Sequence, residues 1–154
     1  MKSAIPLVFA ALLATAVDAQ TETAAVEATS VTVGPLNIVE TDLSDFKWEK
    51  RPIVVFADSD QDPRFKEQIS LLTSRLDALE ARDVVILTDT DPDNLSELRE
   101  KLRPRGFMMV LIGKDGGVKL RKPFPWDVRE ISRVIDKMPL RREELRSERQ
   151  AAQP

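Results

Sequence analysis

The chain has 154 residues, 42% of them hydrophobic, 32% charged and 5% aromatic, with a formal net charge of −3. That length suits one domain of ordinary size with tails, and the mild negative charge argues against bulk attraction to nucleic acid. Histidine and cysteine are both absent, which excludes imidazole acid–base chemistry, disulfides, zinc–thiolate sites and thiol redox turnover.

Residues 1–19 read as a signal peptide. Lys2 supplies the positive start, Ile5–Val17 is an apolar stretch rich in Ala and Leu, and Val17-Asp18-Ala19 offers a cleavage site. The apolar stretch is too short for an ordinary spanning helix. The expectation is export to the periplasm or beyond, with no membrane span after cleavage. Residues 20–44 show no sustained period and are expected to form a flexible leader, with one short strand at Ser30–Val33. Phe46 and Trp48 are expected to pack against the domain edge.

Ile53–Phe56 is a continuous β-branched and aromatic run, the pattern of a strand buried on both faces. Asp62 followed by Pro63 gives a helix start, because the carboxylate accepts backbone N–H bonds and proline suits the first helical position. Phe65, Ile69, Leu72, Leu76 and Leu79 then recur at helical spacing. Val84–Leu87 is a second buried strand. After the acidic turn Asp89–Asn94, Asn94 and Glu97 fit a capping box for a short helix through Leu95, Leu98 and Leu102. Phe107–Ile112 and Val118–Leu120 are two more strands, joined by a tight turn at Gly116 and Gly117. Val128, Ile131, Val134 and Ile135 mark the last domain helix, which ends before Pro139. From Arg141 the segment is nearly all Arg and Glu and is expected to be a solvated helix or a frayed tail, residues 141–154. Phe124 and Trp126 read as core or staple residues.

This order implies an α/β domain over residues 45–140: a thioredoxin-like sandwich with a four-stranded mixed sheet and flanking helices. The first three strands are expected to be parallel through right-handed crossovers, and the hairpin adds an antiparallel edge.

Four segments carry a family resemblance: Arg51-Pro52-Ile53-Val54-Val55-Phe56-Ala57, Asp62-Pro63-Arg64-Phe65, Leu111 through Arg121, and Ile135 through Glu143. They resemble the uncharacterised DUF4174 domain over about Asp45 to Glu144. The resemblance implies a secreted thioredoxin-like module of unknown activity. Redox thioredoxins place a cysteine pair in the turn after the first central strand; here that turn reads Asp58-Ser59-Asp60-Gln61-Asp62-Pro63.

Two site readings compete. The acidic turns Asp58, Asp60, Asp62 and Asp89, Asp91, Asp93 both follow strands expected to be parallel, so they should share the carboxyl-terminal edge of the sheet, where α/β folds bind ligands. Asp58, Asp60, Asp62 and Asp89 could there hold calcium or magnesium that activates water. The plainer reading makes them turn and cap residues. In the second reading, Lys114, Lys119 and Arg121 form a basic hairpin that docks on an acidic protein or envelope polymer. From Lys114 to Arg149 there are 11 Lys plus Arg against 7 Asp plus Glu, whereas from Gln20 to Glu100 there are 8 against 18. Lys119 and Arg121, two apart, are expected to share a strand face. The plainer reading is an edge strand protected by charge. With no thiol, no activated nucleophile and no organic cofactor implied, a monomeric binding module is expected ahead of an enzyme.

Overall fold

A computed structural model describes residues 36–37 and 43–153. The expected signal peptide and the expected strand at Ser30–Val33 lie outside those residues. The sheet is built from β1 (Leu36–Asn37), β2 (Arg51–Phe56), β3 (Val84–Asp89), β4 (Met108–Ile112) and β5 (Val118–Lys122), in the order β1-β3-β2-β4-β5. The four long strands are those read from the apolar runs. β1 adds a two-residue edge beside β3, within the segment read as leader.

β2 and β3 are parallel, with Ile53 opposite Ile86 and Val54 opposite Leu87. β4 runs antiparallel to β2, pairing Val54 with Val110 and Phe56 with Met108. The expectation of a third parallel strand is therefore corrected. Its cause is the path of the connection: β3 ends and β4 begins opposite the same residue, Phe56, so the segment between them stays at one edge of the sheet. Helix α1 (Pro63–Thr73) and helix α2 (Leu76–Glu80) carry the chain from β2 back across the sheet before β3 begins. Only the six residues of α3 (Glu97–Leu102) follow β3. Pro104-Arg105-Gly106 instead turns the chain at the same edge, with Gly106 at φ +61, and β4 sets off in the opposite direction.

Every residue of β2 is buried, as a central strand with both faces covered requires. On one face Ile53, Val55, Val84, Ile86, Met109 and Leu111 meet Leu72, Leu79 and the apolar side of α4 (Val128–Asp136). On the other, Val54, Phe56, Val85, Leu87, Val110 and Ile112 meet Leu98 and Leu102 of α3, with Phe46 from the 3-10 turn Leu43–Phe46. Gln68, fully buried on α1, accepts the Trp126 N–H at 2.7 Å and donates to the Trp126 carbonyl at 3.0 Å. That pair satisfies a loop backbone that water does not reach. Trp126 packs against this core as expected, whereas Phe124 is exposed.

Local chemistry sets the helix ends. Asp62 caps α1 through the Arg64 N–H at 2.8 Å, with Pro63 at the first position. The cap of α3 is Ser96, not Asn94: its hydroxyl accepts the Arg99 N–H at 3.0 Å. In the β4–β5 turn only Gly116 takes a positive φ, +78. A Cβ on Gly113 would come within 2.5 Å of the Asp115 and Lys119 side chains, so that position admits no larger residue without moving them.

The charged tail is a helix, α5 (Pro139–Ala151), and it is docked rather than free along its first turns. Arg141 is buried, donating to the Ala81 carbonyl at 2.8 Å. Among the described residues no helix is long and apolar enough to cross a membrane.

Candidate functional site

The two ends of the sheet carry different chemistry. At the carboxyl-terminal edge of β2 and β3 lie the acidic turns, and their carboxylates are mostly committed. Asp62 pairs with Arg64 at 3.0 Å, and hydrogen bonds from Arg64 hold its carboxyl below the usual range. Asp89, 1% exposed, accepts from Arg99 at 2.7 Å and from the Ser96 hydroxyl at 2.6 Å. Arg99 also reaches the Ala57 and Asp89 carbonyls, both at 3.0 Å, and stacks over Phe56. This buried pair ties the ends of β2 and β3 to α3. Asp60 accepts from its neighbour Ser59 at 3.4 Å. Asp58 lines an open cleft of about 690 Å³ with Arg99, Glu100, Arg103 and Arg105. The four expected metal ligands thus share an edge without converging. Among the described residues no three carboxylates form a group able to hold a metal ion. Turn and cap chemistry pulled them apart, each toward its own backbone or arginine.

At the opposite, amino-terminal edge, a charge network surrounds the start of β2. Arg51, 1% exposed, donates to both Glu144 oxygens at 2.9 Å and to the Arg82 carbonyl at 2.9 Å. Lys114 donates to Asp83 and to Glu144, each at 2.8 Å, and Arg141 approaches Glu144 at 3.2 Å. Burial alone would push the Glu144 carboxyl up; hydrogen bonds from Lys114, Arg51 and Arg141 outweigh it and hold the group below its ordinary value. Asp83 takes a left-handed backbone, φ +54, and its carboxylate faces the same network.

Beside this network opens a second cleft of about 310 Å³, lined by Trp48, Met138, Pro139 and Leu140 together with Arg51, Lys114, Asp115 and Lys119. Trp48 is 63% exposed and sits at φ +70, its N–H donating to the Lys114 carbonyl at 2.7 Å. The expected packing of Trp48 into the domain edge is therefore corrected: Phe46 packs and Trp48 does not. A bulky residue in the left-handed region is an outlier, and such strain gathers at functional positions.

Of the basic hairpin residues, Lys114 and Lys119 share this cleft and Arg121 does not. The β4–β5 register jumps from Leu111 opposite Leu120 to Ile112 opposite Val118, which leaves Lys119 in a bulge. A bulge breaks the alternation of faces. Lys119 turns to Asp115 at 2.6 Å, while Arg121 reaches across to the Leu102 carbonyl at the end of α3. The hydrogen bond from Lys119, with another from the Gly117 N–H, keeps the Asp115 carboxyl below its usual range. The residues to which sequence reasoning gave no place in a site are Arg51, Trp48, Leu140 and Glu144. Two signals were present: an arginine opening an otherwise apolar strand, and a lone leucine in a tail of Arg and Glu.

The fold resembles known structures. A reduced 2-Cys peroxiredoxin from Plasmodium vivax superposes with a TM-score of 0.50 at 20% identity, covering 62% of this chain and 81% of that one. StoA from Bacillus subtilis gives 0.45 at 14% identity, covering 56% and 82%. The first likeness identifies a thioredoxin-like fold and nothing finer. In sequence the chain is 32% identical to zebrafish (Danio rerio) coiled-coil domain-containing protein 80, across 70% of this chain and only 16% of that much longer protein. Residues 42–144 match the family described as "Domain of unknown function (DUF4174)". With its mixed sheet, flanking helices and this match over most of its length, the chain belongs to the DUF4174 family.

Proposed function

We propose that this protein is an exported, thiol-free thioredoxin-like module that acts by binding an acidic partner at its amino-edge cleft, as a monomer and without turnover of its own. The single observation that carries the reading is Trp48, a strained and exposed aromatic beside Lys114 and Lys119 at one cleft. An exposed tryptophan adds little to the core, and tryptophan is enriched among residues that dominate binding energy. Lysines beside apolar side chains favour a partner that brings negative charge. Export is supported by the Lys2, Ile5–Val17 and Ala19 pattern. Loss of the thiol site leaves the fold available as a scaffold, since function resides in sites and not in folds.

The test is affinity capture from an extract of the exported compartment, with immobilised wild type beside Trp48→Gly and Lys119→Glu. A partner retained by wild type should be lost from both variants. Equal capture on all three surfaces would remove the cleft from the account.

A further inference from the structure

We infer that helix α5 is a hinged half of the amino-edge cleft, clasped shut by the carboxylate of Glu144, so that the cleft is whole only while the clasp holds. This rests on the binding reading above for the use of the cleft, and its test needs no ligand.

The attachment of α5 is polar. Among the described residues Met138 is the last to pack against an apolar core, and no side chain of α5 joins either core. Two side chains one turn apart hold the helix down. Glu144 accepts from Arg51 at 2.9 Å and from Lys114 at 2.8 Å, and Arg141 donates to the Ala81 carbonyl at 2.8 Å. From Arg146 to Gln153 every residue is exposed. Only Lys137 and Met138 stand between α4 and α5, and Met138 is extended, with ψ 137 and no side-chain cap bond. Residues at the ends of elements are where a hinge rotation is absorbed.

A helix held in this way is readily released. Undocking returns Arg51 and Glu144 to water together, which recovers the desolvation cost that a buried ion pair carries. Apolar burial would oppose release in proportion to its area, and α5 adds none to the two cores. Elements anchored so sparsely open below the free energy of global unfolding.

Release dismantles the cleft. Pro139 and Leu140, in the first turn of α5, line it with Trp48. Lys114 lines it too and ties the parts together: its ammonium donates to Glu144, and its carbonyl accepts the Trp48 N–H at 2.7 Å. A ligand that touches Trp48 and Leu140 at once binds the docked state and holds α5 closed. Its apparent affinity then scales with the docked fraction.

Glu144→Gln separates the two states, because it strands the Arg51 guanidinium while α5 is docked and costs nothing once that group is in water. The docked-to-released ratio should fall by about a hundredfold, the scale of one buried charge left unpaired. The chain has no cysteine of its own. Spin labels at Arg149→Cys on α5 and Glu67→Cys on α1, both exposed positions, therefore report the separation of α5 from the domain by pulsed EPR. Wild type should give one narrow distance. Glu144→Gln should add a broad, longer population and move the Trp48 indole NMR signal while leaving that of Trp126 in place. In wild type, urea below the unfolding transition of the sheet should produce the same change, which decides the matter should the variant fail to fold. An unaltered narrow distance in Glu144→Gln, release of α5 only together with the sheet, or a Trp48 signal indifferent to release would each overturn the assignment. A wild type that captures no partner would remove the binding reading and leave the hinge standing.

Discussion

Glu144 shows how one residue holds an edge of this domain together. Its carboxylate serves Arg51, Lys114 and Arg141, and Arg51 is nearly inaccessible to water. Replacing Glu144 with Gln leaves a buried guanidinium without its bidentate acceptor, a loss of about 3 kcal/mol. The pH dependence follows from the depressed folded-state value. The unfolded chain holds its proton to a higher pH, so the contribution is complete above the ordinary value of about 4.5 and is lost as pH falls through the folded value beneath it. Urea unfolding of wild type and Glu144→Gln should differ most near neutrality and converge as pH falls below the ordinary carboxyl range; a constant gap would mean that the charge is not the cause. Trp48 makes the opposite case. Glycine accepts φ +70 at no steric cost, so Trp48→Gly should leave thermal stability unchanged or raise it by about 1 kcal/mol. A clear loss would make the tryptophan structural.

At the scale of elements, apolar periodicity exposed most of the fold. β2, β3 and the hairpin strands were legible because buried strands must be continuous apolar runs, and the cap of α1 because Asp62-Pro63 has few other uses. The direction of β4 was not, since it depends on the path of the connection from β3 and not on any residue in the strand. The start of α3 was misplaced because Asn94 and Ser96 are both good caps. Ser96 prevailed because its hydroxyl also donates to buried Asp89. Removing that hydroxyl breaks two bonds at once, so Ser96→Ala should cost about 1–2 kcal/mol, read from the urea midpoint. An unchanged midpoint would show that water replaces both contacts.

Across the whole molecule, the two ends of the sheet differ in chemistry. The edge where redox thioredoxins carry their cysteines holds here a paired Asp89–Arg99 and dispersed carboxylates, and the chain offers no thiol. Purified protein should give no turnover above blank in insulin reduction or peroxide consumption, since both need a thiolate. The amino edge was the part least legible from sequence. Its cleft draws Trp48, Lys114, Lys119 and Leu140 from segments up to 92 positions apart, and no local pattern brings such residues together. Lys114 and Lys119 were visible as a charged turn, but the aromatic and aliphatic residues that line the same cleft were not. Photo-crosslinking tests that division most directly. A photoreactive residue in place of Leu140 reports on the amino-edge cleft, and one in place of Arg105 reports on the carboxyl-edge cleft. In an extract of the exported compartment, the Leu140 position should yield a discrete adduct and the Arg105 position background alone. A discrete adduct from Arg105 with none from Leu140 would contradict the account.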